Sequence, residues 1–389
     1  MIEKMWDSPL MYRIEVPLPD NPLRYLNSYV VCGSDRWLVI DTGFNREECR
    51  EALFSGLSQL QVDLARTDLF LTHLHADHTG LVGDFAGQGC QVYMNGDDYQ
   101  YLVDSALDGR TWKYTEQLFM KEGMPPEDIE KQFSNQARKF SPDPSFSIHP
   151  VGDGDVVTLA GVDFQVIHTP GHTKGLSCLW LPKEGLLVSS DHVLFDITPN
   201  IQRWQNLPDA LACYLHSLDK VRDLPARLVL PGHRKASSAL KERVDAIKAH
   251  HANRLQELWQ AAKDHPGATA FELAPHLTWS MRGKKWPEFP PTQKWFAMGE
   301  TLSHVEYLLH HGRLEQEEKN GHYIYYAIKK RTGSSSFARR RSCFFMTEIV
   351  AFLQYYAKKT VMVSVRGTVE PAGQQALRCR WPVCVGDGL

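Results

Sequence analysis

Leu71-Thr72-His73-Leu74-His75-Ala76-Asp77-His78-Thr79-Gly80 decides how the rest of this chain is read. Positions 73 to 78 hold three imidazoles and one carboxylate directly after the apolar run Leu69-Phe70-Leu71. That run reads as a buried strand, and Thr79-Gly80 as the start of a helix. A strand-to-helix loop is held by rigid elements on both sides, which suits it to chemistry. His73 and His75 alternate as in a strand and can point the same way. Asp77 and His78 follow in the loop and can face a second ion nearby. Chance would produce the pattern in roughly one chain in several hundred, so a scatter of surface or N-cap histidines accounts for it poorly.

Three later segments carry further donors: Thr169-Pro170-Gly171-His172-Thr173, Ser189-Ser190-Asp191-His192 and Leu230-Pro231-Gly232-His233. Asp41-Thr42-Gly43 closes an early strand. Together these segments resemble the metallo-β-lactamase-fold hydrolases, glyoxalase II-like, over about residues 10 to 250. The resemblance is specific for fold and metal site but not for substrate. It implies an α/β fold, a four-layer αββα sandwich. It also implies two metal ions: His73, His75 and His172 hold the first, Asp77, His78 and His233 the second, and Asp191 bridges both together with a hydroxide. Imidazole and carboxylate donors without a thiolate suit two Zn2+ and tolerate Mn2+ or Fe2+. The flavin-partnered di-iron branch usually has a carboxylate where this chain has His75, which disfavours redox chemistry. Adjacent dications lower the pKa of a bridging water and so supply a nucleophile.

Asp77, Asp191 and His192 are the expected catalytic residues. Asp77 would orient the water or shuttle a proton. His192 would touch substrate or oxyanion, its alternative being a core imidazole. Asn200 is a weaker candidate at the pocket mouth. Asp41 reads either as a hydrogen-bond acceptor bracing the metal loop or as a turn residue. Ser190 departs from the pattern, because the family often has Gly before the bridging Asp.

The chain's 389 residues allow two domains. A formal net charge of -3 argues against a generic polyanion binder. The eight cysteines are scattered, with no Cys-x-x-Cys; several sit inside apolar runs and read as small buried hydrophobes, which suggests a reducing compartment. Met1 to Leu10 has no apolar leader core, and no stretch approaches a membrane span, so a cytoplasmic enzyme with no membrane partner is expected. The catalytic domain is expected at 1–264. Within it, 95–148 is an aromatic-rich helical insertion positioned to act as a lid. Asn206 is expected to cap a helix whose inward face carries Leu211, Leu215, Leu218 and Val221.

A winged-helix-like domain is expected at 265–330. Thr269-Ala270-Phe271-Glu272 is a capping box, and Trp295, Met298, Leu302, Val305 and Leu309 trace one helix face. A hairpin with a type I′ signal turns at Asn320-Gly321. This arrangement resembles the β-lactamase-like-protein-2 branch of the superfamily. The helix carries few positive charges, so a structural or dimerising role, giving a homodimer, outweighs nucleic-acid binding. Residues 331–389 read as a poorly ordered tail, with a linker at 331–336, a basic cluster Arg339-Arg340-Arg341 and an amphipathic stretch from Thr347 to Ala357.

Two enzymatic functions follow. The first is hydrolysis of a thioester, ester or lactone, a small-molecule or acyl substrate suited to the insertion's aromatics. The second is a metal-dependent endoribonuclease acting on single-stranded RNA, for which Arg203-Trp204 and Lys284-Lys285-Trp286 offer basic and aromatic contacts. A non-enzymatic DNA-binding scaffold is the third reading, and the full ligand set argues against it.

Overall fold

A computed structural model describes residues 1–328 apart from 132–134 and 282. The linker, basic cluster and amphipathic stretch of the tail therefore lie outside the described residues. Two sheets form the centre. The first runs in chain order: β1 Ile2–Asp7, β2 Leu10–Pro17, β3 Tyr25–Cys32, β4 Trp37–Ile40, β5 Thr67–Phe70, β6 Gln91–Asn95 and β7 His149–Val151. It is antiparallel up to β4 and parallel from there on. The second has β12 Leu228–Pro231, β11 Leu186–Ser190, β10 Ser177–Leu181, β9 Val162–His168 and β8 Val156–Leu159 side by side, with only the β11–β12 pair parallel.

Alternation puts Met11, Tyr29, Val31, Leu38, Ile40 and Phe70 of the first sheet against Phe164, Val166, Leu179, Leu181, Val188 and Leu230 of the second, in one buried cluster. The opposite faces are covered by helices. Leu53 and Leu57 of α1 (Glu47–Gln59) and Leu218 and Val221 of α8 (Ala210–Arg222) lie in a second cluster with Val30, Val39, Trp180 and Leu187. The result is the expected αββα sandwich. The buried Cys49, Cys90 and Cys178 are unpaired and pack as hydrophobes.

Two helix starts differ from expectation. The helix after β5 begins at Ala76, not Thr79: α2 spans Ala76–Thr79 and α3 Val82–Ala86. Asp77 and His78 thus stand in a first helical turn, where a carboxylate is favoured by the free N–H groups, and His73 and His75 lie beyond the strand's end. Helix α8 is capped by Asp209, whose side chain accepts from Ala212 N at 3.1 Å, because Trp204 and Leu207 first close a bridge of their own.

The insertion forms four helices among the described residues: α4 Gly96–Asp108, α5 Arg110–Lys121, α6 Pro126–Glu130 and α7 Gln136–Lys139. Leu118, Phe119, Met124 and Ile129 from it are buried with Leu258 of α9 (Leu240–Asp264), Leu273 of α10 (Ala270–Leu273) and Trp295, Met298, Leu302 and Val305 of α11 (Pro291–His310). The Thr269 capping box forms, and β13 Leu314–Lys319 pairs with β14 His322–Ala327 through Asn320 and Gly321, both at positive φ. The insertion and the C-terminal elements therefore share one core, and excising 100–140 would open it.

That core encloses a carboxylate. Both Glu122 oxygens lie 2.8 Å from the Tyr325 hydroxyl, which donates to them, and Arg203 lies 3.8 Å away. Burial pushes Glu122 up from its ordinary 4.5 to about 7, outweighing the lowering by Tyr325 and Arg203. The folded protein therefore holds this proton more tightly than the unfolded chain, and stability falls as pH rises from about 4.5 to 7. A rise of that size costs about 3 kcal/mol above pH 7. Glu122→Gln is expected to stabilise the protein by about 1–3 kcal/mol at pH 8 and to make no difference near pH 4. Thermal unfolding at both pH values checks this, and equal effects at the two would refute it.

Candidate metal centre

The ligand segments leave the same edge of the sandwich. His73, His75, Asp77 and His78 follow β5, His172 follows β9, Asp191 follows β11 and His233 follows β12. Two groups of donors, His73 with His75 and His172, and Asp77 with His78 and His233, each have their ligand atoms within 4.8 Å of one another, and a third, His73 with His78 and Asp191, links them. In the first, His75 Nδ1 lies 3.1 Å from His73 Nε2 and 3.0 Å from His172 Nε2. Three nitrogens converge there, and neutral rings have too few protons to pair them all. In the second, His233 Nε2 is 3.4 Å from Asp77 Oδ2. Asp191 lies between the groups: its Oδ2 is 3.6 Å from His172 Nε2 and 3.5 Å from His233 Nε2, and its Oδ1 is 3.7 Å from His78 Nε2.

The outer nitrogens are tied back. His172 Nδ1 meets Asn200 O at 2.8 Å, His233 Nδ1 meets Tyr25 O at 2.8 Å, and His78 Nδ1 meets Asp41 Oδ2 at 2.7 Å. Such bonds fix tautomer and ring orientation so that the inner nitrogen offers a lone pair. Asp41 also accepts from Thr72 N at 2.8 Å and Thr72 Oγ1 at 2.7 Å, so the bracing role holds. Ser190 has φ +47, the left-handed region in which Gly is cheapest. Its hydroxyl lies 2.7 Å from Thr72 Oγ1 and 3.5 Å from His73 Nδ1, a polar contact that Gly could not make.

Charge divides the centre. Burial holds His75 down at about 3 and lowers His73 and His172, so these rings are neutral. Burial also lowers His78 and His233, but the carboxylates outweigh it: Asp41, Asp191 and Asp77 raise His78, and Asp191 and Asp77 bring His233 to about 9. Asp77, raised by burial, is brought to about 2 by His78 and His233. The buried His78 Nε2, His233 Nε2 and Asp191 Oδ1 have no hydrogen-bond partner among the described residues. Orphaned inner atoms, anchored outer atoms and a donor set of imidazoles with carboxylates together fit divalent metal ions.

Two further residues shape the centre, Asp98 without a signal in the sequence and Trp204 in a role other than the RNA contact expected of it. Asp98, on α4, is buried and accepts from Leu74 N at 3.0 Å, Thr173 Oγ1 at 2.6 Å and Gly175 N at 2.6 Å, tying the loops of His73 and His172 together. Its place in the first turn of α4 gives it the look of an ordinary helix-start acid. Trp204 donates from Nε1 to His172 O at 3.1 Å, and its ring lies 6.1 Å from that of His75 and 5.3 Å from that of Tyr101. His192, by contrast, is fully buried against the Tyr214 ring, has neither ring nitrogen partnered among the described residues, and belongs to none of these donor groups. Arg203 lies 3.4 Å from Glu306 and 3.8 Å from Glu122. A further group, His250, His251 and Glu300, approaches metal spacing, but Arg254 already pairs with Glu300 at 2.7 Å.

An αββα sandwich with imidazole and carboxylate donors at one edge defines a metal-dependent hydrolase. The chain belongs to the metallo-beta-lactamase superfamily, whose family model matches residues 22–233. It is similar to a beta-lactamase-like protein 2 homolog of Caenorhabditis elegans, 26% identical over 273 residues, 70% of this chain and 77% of that one. An atrochrysone carboxyl ACP thioesterase, nsrC, of Aspergillus novofumigatus is 25% identical over 272 residues, 67% of this chain and 66% of that one. A crystal structure of a metallo-beta-lactamase family protein from Thermus thermophilus superposes with a TM-score of 0.68 at 29% identity, covering 82% of this chain and 98% of that one. No helix among the described residues is long and apolar enough to cross a membrane.

Proposed function

We infer that the protein is a dinuclear metal hydrolase of acyl substrates, thioesters, esters or lactones, with zinc as the first candidate metal. The observation that carries the dinuclear part is the Asp191 carboxylate, within 3.7 Å of histidines from both donor groups. His73, His75 and His172 would hold one ion, Asp77, His78 and His233 the other, and Asp191 would serve both. Bound divalent ions supply Lewis acidity and activate water near neutral pH. The chain's own groups do the rest. Asp77 stays ionised and can accept a hydrogen bond from a water molecule, orienting it. Asp41 and the Asn200 carbonyl keep His78 and His172 in the tautomer that binds.

The acyl preference is supported by the aromatic pair Trp204 and Tyr101 beside His75, which gives the site an apolar flank. The thioesterase name of the Aspergillus relative points the same way. The ribonuclease reading loses Arg203 to an internal ion-pair cluster. A panel on metal-loaded protein tests the proposal: an acyl-CoA, a lactone, a nitrophenyl ester, single-stranded RNA and a β-lactam. Turnover is expected on the acyl substrates, with none on RNA. RNA cleavage that His78→Ala abolishes, with no ester or thioester turnover, would overturn it.

A further inference from the structure

The geometry points to α11 as the element that positions His172, acting through Asn200 and Glu300. This rests on the reading of His172 as a metal ligand. The loop from Asp191 to Asp209 grips His172 at both ends: the Asn200 carbonyl takes Nδ1 at 2.8 Å, and Trp204 Nε1 donates to the His172 carbonyl at 3.1 Å. Arg243 of α9 donates to Leu194 O and Ile197 O earlier in that loop, and the Trp204–Leu207 bridge closes within it, but neither holds Asn200 in place. Helix α11 does so instead, along one face.

Asn200 Nδ2 donates to Phe296 O at 3.2 Å and to Glu300 Oε2 at 3.1 Å. One turn on, the Ser303 hydroxyl donates to Ile201 O at 2.6 Å. Arg203 N donates to Gly299 O at 3.3 Å, and Asp209 N to Glu306 Oε2 at 3.2 Å. The helix lies so close that a Cβ on Gly299 would stand 3.0 Å from Gln202 Cβ. Glu300 is itself fixed: Arg254 donates to its other oxygen at 2.7 Å, while the same guanidinium donates to Thr278 O at 2.6 Å and lies 4.1 Å from the Trp279 ring centroid.

A carboxylate locked at one oxygen and aimed at an amide with the other fixes where that amide's backbone lies. The Asn200 carbonyl is part of that backbone, so the direction of the His172 ring is set from a helix that supplies no ligand. Asn200 and Glu300 are therefore positioning residues, and the C-terminal elements are a structural part of the metal centre.

Asn200→Asp removes the donor from both hydrogen bonds of the Asn200 side chain and sets a carboxylate against Glu300 and the Phe296 carbonyl. In the full chain, Zn2+ affinity measured by competition with a chelator is expected to fall roughly ten- to hundred-fold for one site, with the metal-free protein still folded. Adding Glu300→Gln restores a donor to the pair. The new amide can accept from Arg254 and donate to the carboxylate introduced opposite it, so the double variant should recover a large part of the affinity. If the metal-free Asn200→Asp protein does not fold, Gly299→Ala takes its place: it pushes the same seam apart without removing a polar partner and should weaken Zn2+ binding in the same direction. A folded Asn200→Asp that binds Zn2+ like the parent, or a loss that Glu300→Gln does not relieve, overturns the proposal. His172→Ala separates this from the underlying reading: if His172→Ala keeps the full Zn2+ complement, His172 is no ligand and both fall.

Discussion

Asp191→Ala is expected to lower metal affinity by roughly 10²-fold or more and to remove acyl hydrolysis with it. Three imidazole nitrogens lie 3.5 to 3.7 Å from this carboxylate, all of them buried. Burial raises an isolated acid, yet His233 and His78 hold Asp191 well below the usual carboxylate range. Its negative charge is therefore stabilised by its surroundings and in turn sustains the raised His78 and His233. Losing a group that only orients a ligand costs roughly 10- to 100-fold in metal affinity, so losing a carboxylate placed between both donor groups is expected to cost at least that much. Asn at the same position preserves shape and removes charge, so Asp191→Asn should be nearly as damaging. Metal content after dialysis against a chelator, and thioester turnover, measure both effects. A variant that keeps its metal and turns over within tenfold of the parent would show that Asp191 is dispensable.

The ligands are legible in the sequence because their chemistry is concentrated in short motifs that recur at strand ends. Asp41 is legible too, since it sits in such a motif. What supports the ligands is much less so. Asp98 joins the loops of Leu74 and Thr173, which lie 24 residues before it and 75 after it in the chain, and nothing in Asn95-Gly96-Asp97-Asp98 separates it from a helix-start acid. Glu300 and Ser303 look like the polar side of an amphipathic helix, but they are buried because the loop after Asp191 folds onto them. The helix start at Ala76 is hidden for a related reason. The apolar period begins only at Leu81, whereas the turn is closed by His78 N to His75 O at 2.9 Å, a backbone bond with no side-chain signature. The insertion's aromatics split: Phe119 packs on Trp295 in the C-terminal core, and Tyr101 turns toward Trp204 at the metal centre. Position in the chain suggests a cover for the site and does not reveal this division.

Gly232→Ala tests how tightly the centre is built, with no change to any ligand. The residue sits between β12 and His233, and its φ is not in the left-handed region, so the backbone would accept Ala. Space is the obstacle. A Cβ there would stand 2.5 Å from Asp191 Oδ1 and 2.9 Å from His78 Cε1. The backbone cannot retreat easily: Gly232 N donates to Ser190 O at 3.0 Å, and Gly232 O accepts from Asn27 N at 2.7 Å. On the residue before it, the Pro231 carbonyl accepts from Asn27 Nδ2 at 2.9 Å and from the Tyr29 hydroxyl at 2.8 Å. The Asp191 carboxylate and His78 ring must therefore shift. Displacement of reacting geometry by about 1 Å costs roughly 10²-fold in rate, so kcat should fall by about that factor and metal affinity with it, in a protein that still folds. Gly83→Ala is the matched control: a Cβ there meets nothing within 4 Å, and Ala in α3 should be neutral or stabilise by up to about 1 kcal/mol. Parent-like turnover and Zn2+ binding in Gly232→Ala would mean that Asp191 and His78 move freely, and the close-packed centre described above would have to be given up.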